Sequence, residues 1–203
     1  MFITFEGPDG SGKSTQIRLL ADQLRQAGRI VLLTREIGGT PLGENIRALV
    51  QHQDQVAIDP LAEMLLIAAA RAQHVEQVIR PSLQQSQLVL SDRYVDSSLV
   101  YQGYALGVGW EKVRQVNEAA ISGLWPDLTI LLMLEPEEAY RRSTAGQLAD
   151  RIESRGLAYY RQVCAGYALL AERFPERVHA VDASRGVSVI QHEISAIVAA
   201  HLR

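Results

Sequence analysis

The segment FITFEGPDGSGKST, Phe2 to Thr15, joins a short apolar run to a glycine-rich turn and then to the start of a helical pattern. Within it, Gly7-Pro8-Asp9-Gly10-Ser11-Gly12-Lys13-Ser14 keeps the spacing G-x-x-x-x-G-K-[ST]. Glycines let the backbone turn so tightly that successive N–H groups converge, and the helix that follows adds its positive end. The product is a nest for a chain of phosphates, in which Lys13 reaches the β- and γ-phosphates and the Ser14 hydroxyl ligates Mg²⁺. Such a nest announces a nucleoside triphosphate and leaves open what the phosphate is transferred to.

Outward from that segment, apolar runs at Phe2–Phe5, Ile30–Leu33, Leu88–Leu90, Thr129–Met133 and Val178–Val181 alternate with longer stretches of helical period. The helical stretches cover about Ser14–Ala27, Pro41–Val50, Pro60–Gln85, Trp110–Gly123, Pro136–Ser143, Arg151–Phe174 and Val187–Leu202. This alternation predicts an α/β fold with a five-stranded parallel sheet flanked by helices. Ligands of such sheets gather at the carboxyl ends of the strands, and Glu6, Arg35, Asp92 and Asp182 all follow strands directly. Mg²⁺ prefers one or two carboxylates together with phosphate oxygens, which makes Asp92 the candidate second ligand beside Ser14. A strand-end Asp also serves as a helix cap, and both readings stand at this point. Arg93, next to it, suits a phosphate held between two substrates.

Composition narrows the classes. The 203 residues suit one domain, residues 1–203, with enough chain to bury a full core. Twenty basic against 23 acidic side chains give a net charge of -3, which argues against a nucleic-acid coat or an anionic-membrane binder, so any anion site is local. One cysteine, Cys164, excludes an intrachain disulfide and fits a reducing compartment, with a small buried thiol as its plain role. Phe2–Phe5 is too short for a secretory core, and Leu65–Ala70 and Ile130–Leu134 fall far short of the roughly 20 residues a membrane span needs. A cytoplasmic location is the expectation.

Six blocks then recur in order as in bacterial thymidylate kinases: Phe5-Glu-Gly-Pro-Asp-Gly-Ser-Gly-Lys-Ser-Thr15, Thr34-Arg-Glu-Ile-Gly-Gly-Thr-Pro41, Arg71-Ala-Gln-His74, Asp92-Arg-Tyr94, Asp96-Ser-Ser-Leu-Val-Tyr-Gln-Gly103 and Asp150-Arg-Ile-Glu153. The resemblance implies the P-loop NTPase fold of nucleoside monophosphate kinases and transfer of the ATP γ-phosphoryl group to dTMP. It further implies that Gly7 to Thr15, with Arg142, bind ATP, and that Asp9 accepts a hydrogen bond from the acceptor's sugar 3′-hydroxyl. Arg35 and Arg93 would grip the 5′-phosphate, Arg71 the thymine edge, and Ser98 and Gln102 the rest of the base, while Tyr101 closes over the deoxyribose. His74 is assigned no role.

By the same resemblance, a lid at about 139–151 closes over ATP and delivers arginines to the transferring group. Ser143–Gly146 is its expected flexible part, and the family's extra lid arginines are reduced here to Arg142 and Arg151, with Thr144 and Gly146 between them. Arg151 is the expected catalytic lid cation, beside Lys13, Arg93 and Asp92, and Glu153 would touch the metal or acceptor side. Adenine is expected near Arg142 and the loop Asp182–Gly186.

Two positions depart from the family pattern. Ile37 replaces a proline often found in the cis form; a non-proline cis bond costs about 2.5–4 kcal/mol, so a trans peptide with a displaced Arg35 or a retained cis bond are the alternatives. Ile67 stands where an aromatic ring normally stacks on thymine, which forfeits roughly 0.5–1.5 kcal/mol and implies weaker or broader acceptor binding. Ile37 and Ile67 make a kinase of altered base specificity one competing reading, and the thin lid makes a nucleotide-binding paralogue of low activity the other. The apolar faces of Pro41–Val50 and Pro60–Gln85 are candidates for a homodimer interface.

Overall fold

The computed structural model describes residues 1–52, 57–145 and 155–202. Five strands, β1 (Phe2–Glu6), β2 (Val31–Arg35), β3 (Leu88–Asp92), β4 (Leu128–Met133) and β5 (Val178–Asp182), form one sheet in the order β2-β3-β1-β4-β5, every pair parallel. Each strand found in the sequence is present, with its ends shifted by no more than two residues.

Helices α1 (Lys13–Gln26), α2 (Pro41–His52), α3 (Pro60–His74), α4 (Arg80–Gln84), α5 (Val95–Ser98), α6 (Trp110–Ile121), α7 (Pro136–Thr144), α8 (Gly156–Arg173) and α9 (Val187–His201) cover the sheet. Alternation along the strands decides which face each covers. Ile3, Phe5, Leu88, Leu90, Leu128, Ile130 and Leu132 point into one core with Ile17, Leu20 and Leu24 of α1 and Ile190, Ile194 and Val198 of α9. Phe2 and Val89 point the other way, against Val75, Ile79 and Ile121, and Leu131 packs with Val113, Tyr167 and Leu170. The molecule therefore has three layers, as the alternation of strands and helices predicts.

Two helical details differ from expectation. The long stretch from Pro60 is interrupted by a π-helical turn at Val75–Ile79, which ends two residues before Pro81, a residue that cannot donate to the helical ladder. A second helical run, α5 continued by a π-helical segment at Leu99–Ala105, was not legible at all. Its Leu-Val-Tyr-Gln-Gly-Tyr composition carries no helical period; burial of Leu99, Val100, Tyr101, Gln102 and Gly103 between α3, α6 and α8 organises it.

The sheet register brings the chemistry together. Phe5 and Arg35 both pair with Asp92, so the loop after β1, the end of β2 and the Asp92-Arg93 pair emerge level with one another at the carboxyl edge. The Glu36–Ile37 peptide is cis, the second of the two alternatives for that position.

Candidate active site

The Gly7–Ser14 loop wraps the edge of the sheet and leads directly into α1. Gly7 adopts φ 136°, and a Cβ there would lie 2.3 Å from the Leu132 carbonyl oxygen of β4; Gly10, at φ 82°, faces the Ala139 carbonyl of α7 at 2.6 Å. Only glycine permits both the conformation and the approach. Lys13 Nζ donates to the carbonyls of Gly7 (3.0 Å) and Pro8 (2.8 Å), capping its own loop. Burial and the neighbouring Arg93 push its ammonium down to about 8. The Ser11 hydroxyl is buried with no partner among the described residues, a donor aimed at no protein acceptor in the loop that would cradle phosphates.

Ser14 Oγ donates to Asp92 Oδ2 at 2.8 Å. The Asp92 carboxylate therefore meets the loop instead of capping the helix that follows it. Two hard oxygen donors in contact beside a phosphate nest match what Mg²⁺ takes from a protein. Among the described residues no cluster of three or more His, Cys, Asp or Glu forms a protein cage for a metal.

Arg93, held at φ 70°, is the hub of the site. Its Nη2 donates to Asp9 Oδ1 (2.5 Å) and Tyr101 Oη (3.0 Å), and its Nη1 to Ser97 Oγ and Tyr167 Oη (both 3.0 Å). Burial alone would raise the Asp9 carboxyl, but the Arg93 and Lys13 cations outweigh it and hold the group below its usual range. Behind Arg93 lies Glu6, fully buried, which accepts from Ser97 Oγ (2.6 Å), Tyr167 Oη (2.9 Å) and the Tyr94 amide (2.8 Å). Burial, reinforced by nearby Asp96, pushes Glu6 up to about 7. A narrow cleft beside the hub is lined by Asp9, Tyr101, Tyr159, Tyr160 and Val163.

On α3, Glu63, Ile67 and Arg71 recur every fourth residue and are all buried, forming one stripe that faces the 95–105 helix. Arg71 is held on every side: Nε donates to Glu36 Oε2 (2.7 Å), Nη1 to Ser98 Oγ (2.8 Å) and to Asn117 Oδ1, and Nη2 to the Tyr94 carbonyl (3.0 Å). Glu36 is braced in turn by His74 Nδ1 (3.0 Å), whose Nε2 meets Thr34 Oγ1 (2.7 Å). Ile67 adds an aliphatic surface and no ring. Gln102 lies against the same stripe and donates to Glu63 Oε1 at 3.0 Å. Arg35 stands apart, exposed, in a two-oxygen contact with Glu44 at 3.0 Å.

Of the residues that the resemblance assigns to a lid, Arg142 bonds Glu138 (2.6 Å) and the Ala183 carbonyl (3.3 Å), which sets it against the loop after β5 where adenine was expected. Ser143 and Thr144, assigned by sequence to a flexible stretch, belong to α7; the Tyr160 hydroxyl fastens Ser143 at 2.7 Å. Arg151 and Glu153 lie outside the described residues. Arg155, at the start of α8, reaches Glu63 (2.8 Å) and Tyr159 Oη (2.9 Å).

The sequence singled out Asp9, Arg93, Tyr101, Arg71, Ser98 and Gln102, and the fold brings them to one edge. It assigned no part to Glu36, His74, Asn117, Ser97 or Tyr167, and Glu6 was noted only for following a strand. These residues hold the predicted ones from behind, and their signal, polar side chains at buried helical and strand positions, becomes visible only once facing elements are known.

A phosphate nest at the carboxyl edge of this sheet, with an arginine hub and a hydroxyl-carboxylate pair beside it, defines a P-loop phosphotransferase. A sequence model described as thymidylate kinase matches residues 5–194. A thymidylate kinase of an Exiguobacterium species is 49% identical over 96% of this chain and 92% of its own, and that of Pelotomaculum thermopropionicum is 47% identical over 95% and 90%. The crystal structure of thymidylate kinase from Ehrlichia chaffeensis superposes with a TM-score of 0.79 at 33% identity, covering 98% of both chains. The chain belongs to the thymidylate kinase family.

Proposed function

We propose that this protein transfers the γ-phosphoryl group of ATP to dTMP, giving dTDP. The observation that carries the reading is the Arg93 hub: one guanidinium touches Asp9 of the phosphate loop and Tyr101 of the opposite wall, and its neighbour Asp92 meets Ser14. Donor and acceptor would therefore meet across Arg93. The triphosphate lies along Gly7–Thr15, with Lys13 on its β- and γ-phosphates and Arg142 toward adenine. Ser14 and Asp92 fit Mg²⁺, which when bound offsets charge on the phosphate oxygens.

For dTMP, Asp9 receives the sugar hydroxyl, Arg93 and Arg35 the 5′-phosphate, and Arg71, Ser98, Gln102 and Ile67 the base. Phosphoryl transfer asks the protein mainly for positioning and compensation of oxygen charge. Lys13 and Arg93 supply that charge from rigid supports, and Arg151 would complete it from the lid. Substrate phosphate has to compete with Asp9 for Arg93, a competition between two anions for one cation that keeps the guanidinium aimed before substrate arrives.

The wider assignments rest on separate features. Leu42, Leu61 and Leu65, exposed on α2 and α3, support a homodimer through those helices. A single thiol, Cys164, bonded to the Leu134 carbonyl, suits a reducing cytoplasm, and the acidic balance offers no polymer of nucleic acid a basic track. No described helix is long and apolar enough to cross a membrane.

The test is ADP release with Mg-ATP and a panel of dTMP, dUMP, dCMP, dGMP, AMP and UMP. Preference for dTMP by more than an order of magnitude supports the proposal. A different preferred base replaces the acceptor, and tight binding of both nucleotides without turnover replaces the activity.

A further inference from the structure

Glu63 belongs to no part of the chemistry described above, yet it is a carboxylate only 1% exposed, one helical turn before Ile67 and two before Arg71 on the buried stripe of α3. Its Oε2 is ion-paired with Arg155 at 2.8 Å and its Oε1 accepts from the Gln102 amide nitrogen at 3.0 Å. A carboxylate in an ion pair offers only acceptors. The oxygen and nitrogen of a glutamine amide are told apart by their partners, and here the partner settles the matter: Gln102 has to turn its NH₂ to Glu63. Its carbonyl oxygen is thereby left over, and no described residue donates to it.

We infer that Glu63 is a specificity-determining positioning residue: by taking the Gln102 NH₂ group, it makes Gln102 present a hydrogen-bond acceptor to the base. The inference rests on the dTMP reading above, in which Gln102 faces the base. Thymine and uracil carry an N3–H that donates to such an acceptor. Cytosine has a lone pair at N3 and would meet oxygen with nitrogen lone pair, leaving two buried acceptors opposed. Discrimination against cytosine is then set from behind Gln102, by a carboxylate that never touches the base.

Glu63→Gln tests this, because the change is isosteric and reverses the local polarity. The carbonyl of the introduced amide can keep Arg155, and its NH₂ then faces Gln102, which has to turn its oxygen inward and its NH₂ toward the base. Steady-state rates with dTMP, dUMP and dCMP should show the dTMP to dCMP ratio of kcat/KM falling at least tenfold, with the dTMP to dUMP ratio unchanged. The double variant E63Q/Q102E restores an acceptor toward the base and should recover the preference; it also carries the test if E63Q alone fails to fold. A ratio that does not move, or an equal loss across all three monophosphates, overturns the inference. Gln102→Ala separates the two levels: unchanged kcat/KM for dTMP overturns the base contact and the inference together, whereas a loss there with no shift in E63Q overturns the orientation by Glu63 alone.

Discussion

Arg93 Nη2 donates to Asp9 Oδ1 at 2.5 Å, so the phosphate loop and the turn after β3 are joined by a charged hydrogen bond before any ligand arrives. Charge-assisted bonds of this kind are the stronger class, and this one fixes the direction of the guanidinium. Asp9→Asn keeps the shape and removes the charge. Turnover of dTMP is expected to fall at least tenfold in a coupled ADP assay while the ATP KM changes little. Near-native kcat/KM would show that Asp9 only fills the loop.

Lys13 titrates near 8 in the free protein because burial and Arg93 disfavour its charge, whereas triphosphate favours it. Binding should therefore take up a proton at alkaline pH. ATP affinity is expected to be flat below pH 8 and to weaken by about tenfold for each pH unit above it. Calorimetry in buffers of different ionisation enthalpy reads the proton directly. Lys13→Ala should lose both the proton uptake and turnover.

Glu6 illustrates the opposite linkage. Its folded-state value of about 7 lies above the ordinary 4.5, so the folded protein holds this proton more tightly than the unfolded chain does. The contribution is complete below pH 4.5 and is lost as pH rises through 7. Its loss over that window is on the order of 3 kcal/mol. In Glu6→Gln this pH dependence should vanish, so the stability of the wild type relative to the variant falls by that amount from about pH 4.5 to about 7.5. Parallel urea melts across that range would refute the assignment.

Arg71 and Glu36 form an ion pair with both side chains almost wholly buried. Removing one member leaves the other charge unpaired, which costs about 3–5 kcal/mol. Glu36→Ala is expected to lower the melting temperature by about 6–20 °C, using roughly 2–4 °C per kcal/mol for a chain of this size. His74→Ala, which removes a brace from Glu36 and no charge from the pair, should cost less.

Leu61 and Leu65 lie one turn apart on the exposed face of α3, away from the Glu63–Ile67–Arg71 stripe. Leu65→Glu places a charge there. Sedimentation should show a dimer in the native protein and a monomer in the variant; a native monomer would remove the dimer from the proposal.

Much of the fold was open to local reading. Runs such as Leu128–Met133 are strands because no charged residue interrupts them, and the glycine-lysine-serine spacing demands a tight turn between β1 and α1. The 95–105 helix escaped for the converse reason: Leu99 to Gly103 take helical form because neighbouring helices bury them, a force that no local period records. Ser143 and Thr144 misled in the same way, since small polar residues read as a flexible stretch until Tyr160 fastens Ser143 and Thr144 bonds the Tyr140 carbonyl within α7.

From the sequence alone come the phosphate loop, the five parallel strands, the Asp92-Arg93 pair at a strand end and, through the resemblance, the acceptor-side candidates. These depend on spacing within one element or on a shared pattern of blocks. Tertiary structure alone decided which charge meets which: Glu6 with Tyr167, 161 residues away, Arg71 with Asn117, and Glu63 with both Gln102 and Arg155. The reason is physical. Strand order and helix packing select long-range partners, and burial then makes an unpaired polar atom among them costly.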